Sequence, residues 1–118
     1  MRKELINGTL TTDADTGWVE TGSENSIYSV ATINTEWTAA VGSPLDGEVD
    51  IYLSSNADLS TANLYPKHTV TIDAATSAGK DNTLGLLVPF KYIRAVATMN
   101  SLTAVDMYVD IVYNKVKA

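Results

Sequence analysis

Alternation of apolar and polar residues is the main structural signal in this sequence. From Val105 to Tyr113 every second residue is apolar, whereas Asp106, Tyr108 and Asp110 occupy the positions between them. A period of two places the two sets of side chains on opposite faces of a β-strand. The segment therefore predicts a strand with one face in a core and the other in water.

The same alternation recurs in shorter segments. It is clear over residues 48–54 and 67–73, which are rich in the Val, Ile, Thr and Tyr that favour strands. The turn sequence Pro44-Leu45-Asp46-Gly47 precedes the first of them. Residues 27–37 also predict a strand, but their apolar phase changes after residue 30, which indicates a bulge or partial burial on both faces. Further strands are predicted at residues 5–11, 17–20, 83–88 and 92–99.

These segments amount to about eight short strands separated by turn sequences, an arrangement typical of all-β folds. We therefore expect an antiparallel β-sandwich or a jelly-roll-like fold. A chain of 118 residues suits a single domain, covering residues 1–118. Residues 1–25 differ from the rest, because they are rich in turn residues and poor in apolar ones. They predict an edge strand or an extended N-terminal arm.

Composition narrows the classes of function. The sequence has no cysteine, so neither disulfides nor thiolate metal sites can form. No segment approaches the ~20 apolar residues of a membrane span, and the first residues lack the apolar core of a signal peptide. The net charge of −6 argues against binding to a phosphate backbone. We expect a protein made in a cytoplasm that binds neither nucleic acid nor membrane.

The charge is distributed unevenly along the chain. Residues 1–66 carry two basic and ten acidic side chains, a net charge of −8, whereas residues 67–118 carry six basic and four acidic ones, a net charge of +2. Strands of opposite charge lying side by side in one fold would explain this. A surface with an acidic side and a basic side, suited to contacts between copies, is the alternative.

Candidate catalytic and metal-binding residues are few. His68 is the only histidine, and no Gly-x-Ser-x-Gly motif accompanies it, so an ordinary strand histidine is the favoured interpretation. Asp13 and Asp15 have the alternate spacing that begins a calcium loop, but the downstream Glu of an EF-hand loop is missing, so an Asp-rich turn is the favoured interpretation. We expect no catalytic residue, no cofactor and no metal site.

Aromatic residues are the better candidates for binding. Trp37 ends an apolar strand and is predicted to lie in the core, whereas alternation places Tyr52 and Tyr108 on outward faces. Together with Trp18 they could contact a carbohydrate or a protein partner.

Four segments of the sequence follow one another in a suggestive order. A strand ending in Trp37 precedes the strand at residues 47–54, which runs into a Ser-Asn-Ala-Asp loop at residues 55–58; Val70-Thr71-Ile72 follows, and a late Tyr92-Ile93-Arg94 strand precedes the last strand. Over about residues 27–113 this order resembles a small β-sandwich module common among virion proteins of tailed bacteriophages. The resemblance implies a non-enzymatic structural protein on the capsid surface, assembled in the host cytoplasm. A capsid decoration or cement protein, or a head-fibre protein, is the expected type.

The resemblance also implies partners. We expect binding to the major capsid protein or other virion proteins, with homo-oligomer formation. The alternative is a carbohydrate- or receptor-binding module of a phage fibre or tail. The candidate contact residues are Leu5, Ile6, Leu10, Trp18, Tyr52 and Tyr108.

Overall fold

Nine strands account for most of the described chain. The computed structural model describes residues 2–20, 28–54, 68–73, 78–88 and 92–116. In chain order the strands are β1 (Arg2–Leu10), β2 (Ala14–Asp15), β3 (Val19–Glu20), β4 (Tyr28–Gly42), β5 (Gly47–Ser54), β6 (His68–Ile72), β7 (Gly79–Val88), β8 (Tyr92–Thr98) and β9 (Leu102–Val116).

The strands form two antiparallel sheets. The first has the order β1-β9-β4-β7 and the second the order β2-β8-β5-β6, with β3 also pairing with β8. Successive strands lie in different sheets except β2–β3 and β5–β6. This alternation between two sheets is the jelly-roll form of a β-sandwich. The predicted fold class is therefore confirmed, with β2 as a strand that the sequence pattern did not predict.

The core lies between the two sheets and is built by the alternation read from the sequence. On β9, Val105, Val109 and Ile111 are completely buried. β5 and β6 contribute inward side chains at the predicted positions, which are Val49, Ile51, Leu53, Val70 and Ile72. Burial of these apolar faces is the main force that holds the sheets together.

The irregularity predicted near residue 30 is also present. Ala31 pairs with Leu86 but Ile33 pairs with Thr83, so the register between β4 and β7 shifts at this point. The extra residue lies in β7, because β4 keeps a regular register with β9 over the same stretch. The bulge therefore lies in the neighbouring strand β7 and not in the strand at residues 27–37 for which it was predicted.

Trp37 lies in the core, as predicted, and is only 5% exposed. Its pairing partner in β7 is Gly79, and a Cβ atom at that position would overlap the indole ring. Glycine at residue 79 is therefore required by the close packing of Trp37.

The N-terminal segment forms edge strands over residues 2–20. β1 ends the first sheet, while β2 and β3 lie at the edge of the second. Ile6 is 7% exposed and belongs to the core. The segment is therefore part of the sandwich and not a detached arm.

Ion pairs connect the acidic and basic halves of the sequence. Three of those within the described residues each join residues 1–66 to residues 67–118: Arg2–Asp110, Asp15–Arg94 and Glu36–Lys80. This pattern favours the interpretation that strands of opposite charge lie side by side in one fold.

A buried hydroxyl in β4 gives a test of the core. Thr35 is completely buried, and its Oγ1 atom has no hydrogen-bond partner among the residues that the structure describes. Because an unsatisfied buried polar group costs about 1–3 kcal/mol, Thr35→Val should raise the free energy of unfolding by about 1 kcal/mol in urea titrations. Thr38→Val, at an exposed position of the same strand, is the matched control and should change it by less than about 0.5 kcal/mol. Destabilisation by Thr35→Val would contradict this account.

Candidate functional site

The six candidate contact residues lie in three separate places. Leu5, Ile6 and Leu10 line a cleft beside β1. Trp18 and Tyr52 contact each other at the second sheet. Tyr108 lies on the outer face of the first sheet, beside Arg2. The structure therefore brings together two subsets of the predicted residues and separates Tyr108 from both.

The first place, which we call the edge cleft, lies between β1 and β2. It has a volume of about 330 Å³ and is lined by residues 5–10 and residues 14–16. Leu5, Leu10 and Ala14 are partly buried against the core, whereas the side chain of Ile6 is buried and belongs to the core itself. The cleft therefore has apolar side chains on both of its sides, next to the polar side chains of Asn7, Thr9, Asp15 and Thr16.

Gly8 keeps the edge cleft open. No heavy atom lies within 4 Å of the place where a Cβ atom would stand at this residue. Its φ of +149° is a conformation that side-chain-bearing residues rarely adopt. The missing side chain thus leaves unfilled space in the middle of β1.

One backbone edge of β1 also lacks a partner. β1 is the last strand in the order of its sheet, so within the described part of the chain it pairs with β9 alone. Its register with β9 shifts between Glu4 and Ile6, and it is regular from Ile6 to Leu10. An unpaired regular strand edge can accept a further strand. Residues 6–10 therefore offer such an edge directly beside the edge cleft.

The second place, which we call the aromatic corner, consists of Trp18, Tyr52, Arg94 and Asp15. The ring centroids of Trp18 and Tyr52 are 6.5 Å apart and their planes meet at 66°. Arg94 is the pairing partner of Tyr52 between β8 and β5, so the two side chains leave the sheet next to each other. Both aromatic residues are half-buried. The rings thus form two walls of a corner on the outer face of the sheet.

A bidentate ion pair lies at the aromatic corner. Arg94 donates through Nε to Oδ1 of Asp15 at 2.9 Å and through Nη2 to Oδ2. The backbone N–H of Gly17 donates to the same carboxylate at 2.8 Å. Bidentate pairs of this kind fix orientation as well as charge. The guanidinium and the carboxylate are therefore held in one plane beside the aromatic rings.

The protonation of these groups follows from their contacts. Hydrogen bonds from Arg94 lower the pKa of Asp15 below its ordinary value of 3.8, and the same pair raises the pKa of Arg94. Burial, and then the negative charge of Asp50, raise the pKa of Tyr52 above its ordinary value of 10.0. At neutral pH Asp15 and Arg94 are therefore charged and Tyr52 is neutral.

The calcium-loop interpretation of Asp13 and Asp15 finds both carboxylates engaged within the protein. Asp13 accepts a hydrogen bond from the backbone N–H of Met99 at 2.7 Å, and Asp15 holds Arg94. Among the described residues, no group of three or more His, Asp or Glu side chains is placed to hold a metal ion. His68 lies in β6 opposite Ile51, in the strand that the sequence predicted for it.

The third place is a polar network around Asp110. Alternation predicted a solvated face for this residue, but Asp110 is only 4% exposed. Its carboxylate accepts hydrogen bonds from Arg2 Nε at 2.7 Å, Asn34 Nδ2 at 2.7 Å and the Tyr108 hydroxyl at 3.0 Å. The correction has a simple cause, because neighbouring strands supply long polar side chains that cover the outer face at this point.

Two contacts within the protein engage Tyr108. The Arg2 guanidinium lies 5.4 Å from the centre of its ring, and its hydroxyl is committed to Asp110. The adjacent groove of about 270 Å³ is lined by residues of β1, β4 and β9, both polar side chains and the apolar Trp37 and Met107. Its carboxylates are also engaged, Asp106 by Thr9 and Glu36 by Lys80. This face of the first sheet therefore satisfies its own polar groups.

Sequence reasoning missed the role of Gly8 and the link from Arg94 and Asp15 to the aromatic pair. The sequence signals are visible afterwards: Arg94 alternates with buried Ile93 and Ala95, so it must point outward. Which outward residues it meets depends on the pairing of β8 with β2 and β5, which the pattern along one strand does not encode.

Comparison with known proteins gives no family assignment, since no protein-family model and no curated protein matches the sequence. Within the described residues, the structure contains no helix long and apolar enough to cross a membrane. A function must therefore be inferred from the fold and from these surfaces.

The Asp15–Arg94 pair predicts an acid-dependent change in stability. Because the pKa of Asp15 is lowered on folding, the pair contributes its full stability above the ordinary value of 3.8 and loses it as the pH falls through the lower, folded-state pKa. Asp15→Asn should therefore lower the urea midpoint at neutral pH, and the difference from the unaltered protein should shrink as the pH is lowered below about 4. Arg94→Gln should make the urea midpoint depend less on pH over the same acidic range. If the difference in urea midpoint between Asp15→Asn and the unaltered protein stayed constant down to the lowest pH measured, the charge of Asp15 would not be the cause of the destabilisation.

Proposed function

We propose that this protein is a non-enzymatic structural protein of a tailed-bacteriophage virion, a capsid decoration or cement protein that binds the major capsid shell. The observation that supports this best is the edge of β1, which is unpaired within the described part of the chain and lies beside the edge cleft. Jelly rolls are common in viral capsid proteins, which adds support by analogy of fold. The order of strand motifs along the sequence points to the same class.

The proposed mode of binding is strand addition. An extended segment of a shell subunit pairs its backbone with residues 6–10 of β1 and places one apolar side chain in the edge cleft. Backbone pairing supplies affinity with little dependence on sequence, while the cleft selects the side chain. The apolar walls formed by Leu5, Leu10 and Ala14 suit an aliphatic or aromatic anchor.

Repetition of this contact would give firm attachment. A capsid presents the same segment many times, and a homo-oligomer with several edge clefts would bind several segments at once. Linked binding events raise the overall affinity without new contacts. A small domain with a modest contact area is therefore sufficient for a decoration protein located on the capsid surface.

Filling the edge cleft tests the proposal directly. Ala14→Leu places a larger side chain in the cleft and leaves β1 unchanged, so capsid binding measured by co-sedimentation should fall by about tenfold or more. Ala40→Leu is the matched control, because Ala40 is also partly buried against the core but does not line the cleft. Circular dichroism confirms that both variants fold. Equal capsid binding by the two variants would contradict a role for the cleft.

Hydrogen exchange of the same complex tests strand addition. On mixing with purified capsids, the backbone amides of residues 6–10 should exchange more slowly, because a new strand would pair with them. The edge of β6 in the second sheet is the internal control and should not change. Protection of β6 with no change in β1 would place the contact on the other edge of the sandwich.

The proposed oligomer is tested by the mass of the free protein in solution. Light scattering should give the mass of a dimer or trimer, and the same species should co-sediment with capsids. A monomer that does not bind capsids would favour the alternative role as a module of a fibre or tail.

A further inference from the structure

The aromatic corner shares only Asp15 with the edge cleft, and it has the composition of a saccharide site. Trp18 and Tyr52 are half-buried, so each ring is held by the protein while part of it faces solvent. Rings that meet at 66° with centroids 6.5 Å apart enclose an angle and do not form a flat surface. A sugar ring has an apolar C–H face that packs on such aromatic faces.

The ion pair supplies the polar half of the site. Arg94 and Asp15 lie in one plane through their two parallel hydrogen bonds. The side chain of Asp15 is 44% exposed and that of Arg94 is 21% exposed, so both remain within reach of a ligand. A fixed donor group beside a fixed acceptor group matches the adjacent hydroxyl groups of a sugar.

Charge around the corner restricts the class of sugar. Glu48, Asp50 and Tyr52 are alternate residues of β5, so the two carboxylates leave the same face of the strand as the Tyr52 ring. The positive charge of Arg94 is offset by Asp15. The local charge is therefore negative, and a sugar bearing a carboxylate or sulfate would be repelled.

We propose that the aromatic corner binds a neutral, hexose-containing glycan. The C–H face of one sugar ring packs on the exposed face of one of the two aromatic rings, and the edge of the sugar contacts the other. The Asp15–Arg94 pair exchanges hydrogen bonds with the adjacent hydroxyl groups of the sugar. The hydroxyl of Tyr52 stays protonated at neutral pH and donates a further hydrogen bond. Each site binds weakly, and several sites in an oligomer bind together.

The other outward tyrosine provides the matched control. Tyr108 is also half-buried on the outer face of a sheet, but Arg2 lies over its ring and Asp110 holds its hydroxyl. Tyr108→Ala therefore removes an equivalent side chain without touching the aromatic corner.

The experiment is an isothermal titration calorimetry measurement, in which the full chain is titrated with neutral oligosaccharides built from glucose, galactose, mannose or N-acetylglucosamine. Intrinsic tryptophan fluorescence gives a second signal, because Trp37 is buried at 5% exposure and Trp18 is the tryptophan at the site. At least one neutral oligosaccharide should bind saturably, and a sialylated or uronic-acid oligosaccharide should bind more weakly. Trp18→Ala and Tyr52→Ala should each weaken binding by about tenfold or more, whereas Tyr108→Ala should leave it unchanged.

Arg94→Lys tests whether glycan binding depends on the shape of the guanidinium group or only on its positive charge. It keeps the positive charge but loses the two-pronged geometry, so glycan binding should weaken while the fold is retained. Absence of saturable binding to every neutral oligosaccharide would overturn the proposal, as would unchanged binding by the folded Trp18→Ala and Tyr52→Ala variants. Failure here is distinguishable from failure of the capsid proposal, because Ala14→Leu alters the edge cleft and Tyr52→Ala alters the corner.

Discussion

The rest of the structure depends on the pairing of β9 with β4 on one side and β1 on the other. The β4–β9 register runs from Tyr28–Val116 to Gly42–Leu102, so the two longest strands are joined over almost their whole length. The apolar face of β9 forms one wall of the core, and its polar face presents Asp110 to Arg2. Within the described ranges of the chain, this pairing also leaves β1 with one unpaired backbone edge. The same constraint that closes the sandwich therefore creates the edge proposed for capsid binding.

Sequence reasoning succeeded where a single strand carries its own information. The burial of Val109 and Trp37 could be predicted because each lies in a segment whose pattern defines an inner face. β2 was missed because two residues cannot show a period, and its pairing with Ala97 and Val96 comes from a distant part of the chain. The burial of Asp110 was missed for a related reason, since alternation assigns a face but not the side chains that cover it.

The candidate sites were likewise predictable only in part. Leu5 and Leu10 were recognisable as apolar residues in a polar segment, and Trp18 and Tyr52 as aromatic residues on exposed positions. What makes them sites is contributed by neighbours that are remote in sequence. The aromatic corner needs β8 between β2 and β5, so that Arg94 reaches both Asp15 and Tyr52. Contacts of this kind follow from the order of the strands in the sheet, which the pattern of residues along a single sequence does not reveal.

The two proposed sites share one residue, which limits the substitutions that can test each site separately. Asp15 lines the edge cleft, and its carboxylate holds Arg94 in the aromatic corner. A change at Asp15 would therefore affect both surfaces and could not assign a ligand to either. Ala14 belongs only to the cleft and Tyr52 only to the corner, so their variants should have separate effects. If each variant stayed folded and yet lost both capsid binding and glycan binding, the two surfaces would be coupled, and the two ligands would then alter each other's affinity by the same factor.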